Sequence, residues 1–205
     1  MIISPTKIVA VGRNYAEHAR ELGNEVPRQP LLFFKPPSAM IGPGEPIVLP
    51  PESSRVEYES EIGVVVGSRL SHASEAEAEQ AIAGFVCVND VTARDLQKTD
   101  NQWARAKGFD TFCPVGPRLA TGLDWRTLEI IGRVNGAERQ RGHVRDMQFS
   151  IPFLLAYISR IMRLEPGDLI ATGTPAGTGQ LAVGDEVEVE IPGVGILRNP
   201  VVSRA

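Results

Sequence analysis

The stretch that most constrains the fold is residues 56–66, which read V-E-Y-E-S-E-I-G-V-V-V. Its second half is apolar and rich in β-branched side chains, which favour strands. Because side chains alternate between the two faces of a strand, Glu57, Glu59 and Glu61 would all point to one face. Three carboxylates on one face repel each other unless water or a cation compensates them. The sequence therefore predicts a strand over residues 56–66 with an acidic face.

A second apolar stretch, residues 85–90 with the sequence F-V-C-V-N-D, ends in an acid. If the two strands bring Glu59, Glu61 and Asp90 to one point, these side chains form an all-oxygen site for a hard divalent cation such as Mg²⁺. The alternative is that the glutamates line the solvent-facing side of a half-buried sheet. The spacing alone leaves both interpretations open.

The overall composition restricts the class of protein. The chain has 205 residues, of which 42% are hydrophobic and 22% are charged. This length suits one domain with its own core, so we expect a single domain over residues 1–205. The net charge of −4 and the lack of a basic run argue against a nucleic-acid partner. Two cysteines without a C-x-x-C spacing argue against a disulfide scaffold or a zinc site.

Other sequence features bear on location and architecture. No apolar stretch approaches about 18 residues and the first residues do not resemble a signal peptide, so we expect no membrane partner and a cytoplasmic location. The 20 glycines and 16 prolines favour many short strands that are joined by tight turns. The Asn135–Gly136 pair, for example, predicts a β-hairpin.

A short helix is predicted over residues 15–22. Asn14 is a favourable N-cap, Glu17 lies three residues further on as in a capping box, and a glycine follows the segment. On this helix His18 and Glu21 are three residues apart and share a face. A carboxylate that holds one tautomer of an imidazole suits the histidine to act as a general base. The alternative is a solvated pair of side chains on the surface.

Two lysines and one glycine-rich segment also have a structural and a functional interpretation. Lys35 ends an apolar strand at two prolines, where it is either surface charge or close to an anionic ligand. Lys107 begins a predicted loop over residues 107–117, and a lysine in such a loop is usually surface charge. Residues 172–179, T-G-T-P-A-G-T-G, fit neither a P-loop nor G-x-G-x-x-G. They form either a plain loop or an anion pocket lined by backbone N–H groups.

Six segments follow one another in a specific order between Val11 and Val189. They are V-G-R-N-Y-A-E-H-A-R-E, F-F-K-P, Y-E-S-E-I-G-V-V-V-G, N-D-V-T-A-R-D-L-Q, A-K-G-F-D-T-F-C-P-V-G-P and L-E-P-G-D-L-I-A-T-G-T-P-A-G-T-G. Together they resemble the fumarylacetoacetate hydrolase superfamily, and most closely its short, single-domain members of the acylpyruvate hydrolase and oxaloacetate decarboxylase type. No single segment decides the resemblance, which rests on the ordered set.

The resemblance implies a mostly β (α+β) fold, a rolled sandwich of mixed β-sheets with a few short helices, and a homodimer. It implies that the metal ligands are Glu59, Glu61 and Asp90. It implies that the catalytic residues are His18, Glu21 and Lys107. It implies that the substrate-binding residues are Arg13, Tyr15, Lys35, Gln97 and Thr174. Glu57 stands where relatives often carry His or Asp, and it is a candidate to support one of the ligands.

The resemblance further implies an enzyme that needs Mg²⁺ or Mn²⁺ and acts on small 2-oxo or 2,4-dioxo carboxylic acids through an enolate. The expected reaction is hydrolysis of a C–C bond in an acylpyruvate or fumarylpyruvate, with His18 steered by Glu21 and with Lys107 neutralising substrate charge. Oxaloacetate decarboxylation and isomerisation of 2-hydroxyhepta-2,4-diene-1,7-dioate are alternatives on the same site. A non-catalytic module that binds a divalent ion or a small acid is a further alternative, against which the His–Glu pair argues.

Overall fold

A computed structural model describes residues 3–21 and 23–204 of the chain. The strands in these ranges are β1 (Ile8–Gly12), β2 (Leu31–Lys35), β3 (Met40–Ile41), β4 (Ile47–Leu49), β5 (Val56–Tyr58), β6 (Ser60–Val66), β7 (Ile82–Asn89), β8 (Thr92–Ala93), β9 (Cys113–Ala120), β10 (Glu129–Val134), β11 (Ala137–His143), β12 (Leu169–Ala171), β13 (Gly179–Gln180), β14 (Glu186–Ile191) and β15 (Gly195–Ser203). The α-helices are α1 (Ala16–Glu21), α2 (Glu75–Gln80), α3 (Arg94–Thr99), α4 (Ala104–Gly108) and α5 (Ile151–Ile161). None of the helices in these ranges is both long enough and apolar enough to cross a membrane.

The strands form three sheets. A seven-stranded sheet has the order β2-β1-β12-β6-β7-β9-β3, a five-stranded sheet has the order β11-β10-β14-β15-β4, and a small sheet has the order β13-β5-β8. The pairs β1–β12, β3–β9 and β4–β15 are parallel, whereas the other neighbours are antiparallel. The predicted fold, mostly β with mixed sheets and a few short helices, is confirmed.

Strand β6 lies in the middle of the core and is buried along its whole length. On one face, Ile62 and Val64 belong to a cluster that includes Leu154 of α5. On the other face, Val65 belongs to a second cluster with Val86 of β7. Full burial of one such side chain contributes roughly 1.5–3 kcal/mol, so β6 is held firmly on both faces. The acidic residues at its beginning therefore start from a rigid backbone.

The predicted continuous strand over residues 56–66 is wrong at Glu59. Strand β5 belongs to the small sheet, whereas β6 belongs to the seven-stranded sheet, and Glu59 lies between them. The Glu59 amide donates to Asn89 Oδ1 at 3.0 Å, and the Glu59 carbonyl accepts from the Asp90 amide at 2.8 Å. Because the end of β7 satisfies these backbone groups, the chain leaves one sheet and enters the other at this residue.

The predicted loop over residues 107–117 is also wrong, since α4 contains Lys107 and β9 covers most of the remainder. Strand β9 pairs with β3 and with β7 in spite of Pro114 and Pro117. The glycines and prolines of this segment suggested a loop, but pairing on both sides decided its structure. As a result, Lys107 is held on a packed helix and is buried.

Asn14 does not cap α1. Its side chain is buried, accepts from the Phe149 amide at 2.8 Å, and donates to the carbonyl groups of Phe149 and Thr172 at 3.1 and 2.9 Å. These bonds fix the chain just before α1 to the beginning of the glycine-rich loop. The last residue of the predicted helix, Leu22, lies outside the described residues.

Candidate active site

Three carboxylates converge where β6 begins and β7 ends. One oxygen atom from each of Glu59, Glu61 and Asp90 lies within 4.8 Å of the other two. The register of the two strands, in which Ser60 pairs with Asn89, explains this convergence. All three side chains are buried, so the alternative of a solvent-facing row of glutamates does not hold.

Buried cations compensate two of these acids. The Lys107 Nζ lies 2.8 Å from Glu59 Oε2 and 2.6 Å from Asp90 Oδ2. Arg94 Nη2 lies 2.6 Å from Glu59 Oε1, and Lys35 Nζ lies 2.6 Å from Asp90 Oδ1. Both Glu59 and Asp90 are therefore held between two cationic groups.

These contacts set opposite protonation tendencies in neighbouring acids. Burial opposes ionisation of Glu59, but the charges of Lys107 and Arg94 outweigh it and hold the pKa of Glu59 below its ordinary value. Burial, followed by the charges of Asp90 and Glu59, raises the pKa of Glu61 well above its ordinary value. Burial also opposes the charge on Lys107, but Asp90 and Glu59 raise its pKa. Negative charge at Glu61 is thus the least compensated of the three.

The donor set fits a divalent cation. Three carboxylates supply the hard oxygen ligands that Mg²⁺ and Mn²⁺ prefer. Within residues 3–21 and 23–204, no lysine or arginine pairs with Glu61, whose side chain accepts a hydrogen bond from the Gly173 amide at 2.8 Å. A cation bound by the three acids would relieve the repulsion that raises the pKa of Glu61.

Glu59 and Glu61 face a cavity of about 130 Å³, whereas Asp90 is fully buried beside them and does not line it. The predicted site residues that line this cavity are Arg13, His18, Glu59, Glu61, Gln97, Lys107 and Thr174. The other lining residues are Val11, Gly12, Asn24, Phe33, Arg94 and Trp103. The structure therefore brings together the histidine of α1, the two glutamates at the beginning of β6 and the lysine of α4, which lie far apart in the sequence.

His18 and Glu21 form a pair on α1. The distance from His18 Nδ1 to Glu21 Oε2 is 3.3 Å. This contact suits the imidazole tautomer that carries its proton on Nδ1, which leaves Nε2 as the acceptor. His18 is only 4% exposed and lines the cavity, so it is not a solvated surface residue.

The glycine-rich loop over residues 172–179 binds carboxylates of the protein itself. The Gly173 amide donates to Glu61, and the Gly177 amide donates to Glu21 at 3.1 and 3.2 Å. The Thr174 hydroxyl donates to the Ser60 carbonyl at 2.9 Å. The loop thus connects one acid of the cluster with the carboxylate that orients His18.

Two residues that were predicted to bind substrate lie elsewhere. Lys35 is 1% exposed and sits behind the acids, where its ammonium group also donates to the carbonyl groups of Val91 and Lys107 at 3.1 and 2.7 Å. Tyr15 lines a neighbouring cavity, and burial, together with the charges of Glu61 and Asp146, raises its pKa. Neither side chain lines the cavity that contains His18.

Sequence reasoning missed Arg94. Its Nε lies 2.7 Å from Glu57 Oε2, its Nη2 contacts Glu59, and its Nη1 donates to Gln97 Oε1. Glu57 therefore supports Glu59 through the arginine. Since Gln97 Oε1 is used as an acceptor, the amide NH₂ group of Gln97 remains as a donor. The available signal was the position of Arg94, three residues before Gln97 on the same helix face.

Two aromatic residues that sequence reasoning also missed form an apolar wall. Phe33 and Trp103 meet edge to face with ring centroids 5.2 Å apart. The Lys107 Nζ lies 4.8 Å from the centroid of Phe33, so the ring also covers the ammonium group. This wall shields the charged groups from water and strengthens the electrostatic interactions in the cavity.

Comparison with known proteins gives a consistent result. The chain is 43% identical over 213 residues to the bovine mitochondrial oxaloacetate tautomerase FAHD2A, covering 98% of this chain and 68% of that protein. The crystal structure of 2-hydroxyhepta-2,4-diene-1,7-dioate isomerase from Mycobacterium marinum is similar with a TM-score of 0.92 and 44% identity, covering 99% of this chain and 77% of that one.

Fumarylpyruvate hydrolase from Pseudomonas aeruginosa, crystallised with Mn²⁺ and pyruvate, is similar with a TM-score of 0.92 and 31% identity. That similarity covers 98% of this chain and 91% of the hydrolase. Residues 7–202 match the family described as fumarylacetoacetate (FAA) hydrolase C-terminal. The chain therefore belongs to the FAA hydrolase family of enzymes.

Proposed function

We propose that this protein is an enzyme, dependent on Mg²⁺ or Mn²⁺, that uses His18 to move a proton on small 2-oxo or 2,4-dioxo carboxylic acids. One observation carries the proposal: His18, oriented by Glu21, faces Glu59 and Glu61 across the same small cavity. A non-catalytic ion-binding module needs the acids but has no use for an oriented histidine beside them.

The relatives support the choice of ligand and substrate class. The structurally similar fumarylpyruvate hydrolase was crystallised with Mn²⁺ and pyruvate, which is a 2-oxo acid. Glu59, Glu61 and Asp90 would hold the cation. When bound, the cation would supply Lewis-acid chemistry by polarising a carbonyl oxygen and favouring negative charge on it.

The first candidate reaction is hydrolysis of an acylpyruvate. His18 Nε2 takes a proton from a water molecule while the water oxygen forms a bond to C4 of the substrate. The C3–C4 bond breaks and its electron pair stays on C3, which gives a carboxylic acid and the enolate of pyruvate. The proton on His18 then moves to C3, so that pyruvate is released and the histidine is restored.

The second candidate is proton transfer without bond cleavage. His18 would remove a proton from C3 of a 2-oxo acid and the oxygen at C2 would take up a proton, which converts keto to enol. Identity favours this candidate, since the chain is 43% identical to an oxaloacetate tautomerase and 44% identical to a dienedioate isomerase but 31% identical to the hydrolase. Both candidates use the same histidine.

The cavity lining suggests how substrate is held. Arg13 carries a positive charge and pairs with no carboxylate within the residues that the structure describes, so it suits a substrate carboxylate. Gln97 offers its NH₂ group to a carbonyl oxygen. Lys107, held by Glu59 and Asp90, adds positive charge beside the position of the reacting oxygen atoms.

The test is turnover of acetylpyruvate, fumarylpyruvate, oxaloacetate and 2-hydroxyhepta-2,4-dienedioate with Mg²⁺, with Mn²⁺ and with EDTA. Loss of enol absorbance without acid release identifies tautomerisation, whereas release of pyruvate from an acylpyruvate identifies hydrolysis. Decarboxylation of oxaloacetate releases CO₂. Turnover that is the same with EDTA would contradict the proposal.

Single substitutions test the role of each proposed site residue. His18→Ala should lower turnover by about 10²–10⁴-fold and leave Mn²⁺ binding intact. His143→Ala, on β11 and outside the cavity, is the matched control. Glu59→Ala and Asp90→Ala should abolish Mn²⁺ binding and turnover. If Mn²⁺ binds but none of the substrates turns over, the protein is the non-catalytic binding module.

We further propose that the protein is a homodimer with a single domain over residues 1–205 and that it works in the cytoplasm. These proposals follow from the resemblance and from composition. The mass of the protein in solution tests whether it is a homodimer.

A further inference from the structure

Gly177, in the glycine-rich loop, forms hydrogen bonds with both α1 and β5, the strand that precedes the acid cluster. Its amide donates to both carboxylate oxygens of Glu21, at 3.1 and 3.2 Å. Its carbonyl accepts a hydrogen bond of 2.9 Å from the Tyr58 hydroxyl. A line of contacts therefore runs from Tyr58 through Gly177 and Glu21 to His18.

The backbone at Gly177 has little freedom to change its direction. Its φ angle is +99°, and a Cβ atom there would lie 2.0 Å from the carbonyl oxygen of Arg139 on β11. Only glycine fits this combination of angle and close approach. Strand β11 thus packs against one side of Gly177, and the Tyr58 hydroxyl binds its carbonyl. These two contacts, with β11 and with the Tyr58 hydroxyl, hold the Gly177 amide in the direction of Glu21.

Tyr58 is held in place by burial and by strand pairing. It is 4% exposed, lies at the end of β5 and pairs with Gly179 of β13. Its neighbours in sequence have different contacts, since Glu57 pairs with Arg94 and Glu59 joins the acid cluster. Three successive residues therefore contact the supporting arginine, the glycine-rich loop and the acid cluster.

We infer that Tyr58 is a positioning residue for His18: its hydroxyl fixes Gly177, whose amide fixes the Glu21 carboxylate that orients the imidazole. This inference rests on the proposed function for its catalytic meaning. The orientation of the imidazole is a property of the protein alone and can be measured without substrate. Water can satisfy the Gly177 carbonyl when the hydroxyl is removed, but it cannot hold that carbonyl in one direction.

The kinetic test uses Tyr58→Phe, which removes one oxygen atom. Tyr157→Phe is the matched control, because Tyr157 lies on α5 and outside the cavity. We expect Tyr58→Phe to lower kcat by about 10-fold, as for loss of one orienting hydrogen bond, with KM and Mn²⁺ affinity changed less than about 3-fold. Tyr157→Phe should match the parent protein.

A double-mutant cycle separates positioning from general stability. If Tyr58 acts through Glu21, adding Tyr58→Phe to Glu21→Gln should cause no further loss of kcat. Full additivity of the two losses would show that Tyr58 acts by another route and would overturn the inference. A Tyr58→Phe variant that behaves like Tyr157→Phe would overturn it as well.

The tautomer of His18 gives a measurement that needs no activity. Long-range ¹H–¹⁵N spectra of the Mg²⁺-loaded protein distinguish the two neutral tautomers, and His18→Gln assigns the signal. The parent protein should show the proton on Nδ1, whereas Tyr58→Phe should show a mixture shifted toward the Glu21→Gln spectrum. An unchanged His18 signal in Tyr58→Phe overturns the inference. If the parent protein turns over no substrate, the proposed function fails while this measurement still decides the role of Tyr58.

Discussion

Glu61 differs from the other two acids of the cluster in how its charge is compensated. Glu59 and Asp90 each contact two buried cationic groups, whereas Glu61 receives a hydrogen bond from the Gly173 amide. Burial and the charges of Asp90 and Glu59 raise its pKa, which means that the ionised form is unfavourable in the folded chain. The residue that is best suited to bind a cation therefore weakens the metal-free fold.

The first prediction concerns Glu61, whose charge favours cation binding but destabilises the metal-free fold. Glu61→Gln should raise the melting temperature in EDTA by roughly 2–4 °C, corresponding to about 1 kcal/mol in a chain of this size, because it removes an unfavourable buried charge. The variant should also lose the stabilisation that Mn²⁺ gives the parent protein. Glu59→Gln is the control and should lower the melting temperature in EDTA, since it takes one of two carboxylate partners from both Lys107 and Arg94. A lower melting temperature for Glu61→Gln in EDTA would contradict the account.

The second prediction concerns Lys35. Its ammonium group contacts Asp90 and two backbone carbonyls, and it lines no part of the cavity. Lys35→Met keeps the length of the side chain but leaves the buried Asp90 with one cation fewer, which typically costs about 3–5 kcal/mol. We expect a lower free energy of unfolding by denaturant and tighter Mn²⁺ binding by calorimetry, because the loss of a positive charge beside Asp90 increases the attraction of the cluster for a cation. Lys98→Met, at an exposed lysine, should change neither quantity.

At the scale of elements, one buried side chain joins the beginning of the chain to the turn before β12. Asp168 Oδ1 accepts from the amides of Thr6 and Lys7 at 3.0 and 3.1 Å, and Oδ2 accepts from the Glu165 amide at 2.8 Å. Burial opposes ionisation of Asp168, but these hydrogen bonds and the Lys7 ammonium outweigh it and lower its pKa. The parallel pair β1–β12 starts from this junction.

The third prediction is a pH dependence. Since the pKa of Asp168 is lowered in the folded chain, its stabilising effect is complete above the ordinary pKa of about 3.9 and is lost as the pH falls through the lowered value. The melting temperature of the parent protein should therefore fall below about pH 4 more steeply than that of Asp168→Asn. Asp110→Asn, at an exposed aspartate, should follow the parent curve. Parallel curves for Asp168→Asn and the parent would contradict the assignment.

Elements with a strong local pattern were predictable from the sequence. The hairpin about Asn135–Gly136 is present, with φ angles of 52° and 74° at the two turn residues, because this pair favours that turn. Helix α5 likewise begins at a residue type that favours caps, since the Ser150 side chain accepts from the Phe153 amide. Local pattern did not reveal the break at Glu59, which depends on hydrogen bonds to Asn89 and Asp90, residues distant in sequence.

In the candidate site, too, some features were predictable from local sequence patterns and others depended on residues distant in sequence. Glu59, Glu61, Asp90 and His18 were selected from motifs. The structure brings the three acids into one cluster, and His18 lines the same cavity as Glu59 and Glu61. Lys35 was selected from the same kind of evidence, yet it lies behind the acids, because a lysine at a strand end reaches whichever acceptors the fold brings near it. No sequence pattern states on which side of a cluster a long side chain lies.

At the scale of the whole molecule, β2 is an edge strand of the seven-stranded sheet. Its residues Leu31 and Phe34 are 36% and 51% exposed, although both are apolar. An exposed apolar edge strand invites pairing with another chain unless something covers it. A homodimer that uses β2 would cover this edge.

The fourth prediction tests that arrangement. Light scattering should give twice the chain mass of 22.2 kDa for the parent protein. Phe34→Lys should weaken the dimer, because it places a charge on the apolar edge. Val183→Lys is the control, since Val183 is also apolar and 60% exposed but does not belong to β2. A monomeric parent protein, or a Phe34→Lys dimer as tight as the parent dimer, would contradict the arrangement.

The buried charges around the acid cluster have a consequence for the order in which ligands bind. With Glu61 ionised, Glu57, Glu59, Glu61 and Asp90 carry four negative charges and Lys35, Arg94 and Lys107 carry three positive charges, so the sum is −1. Protonation of Glu61, which its raised pKa favours, brings the sum to 0. A divalent cation that binds the ionised cluster reverses the sum from −1 to +1, whereas a monovalent cation only cancels it. The acid cluster therefore favours an anionic ligand more after the divalent ion binds than before. Because such coupling is reciprocal, the anion must strengthen the binding of the cation by the same factor.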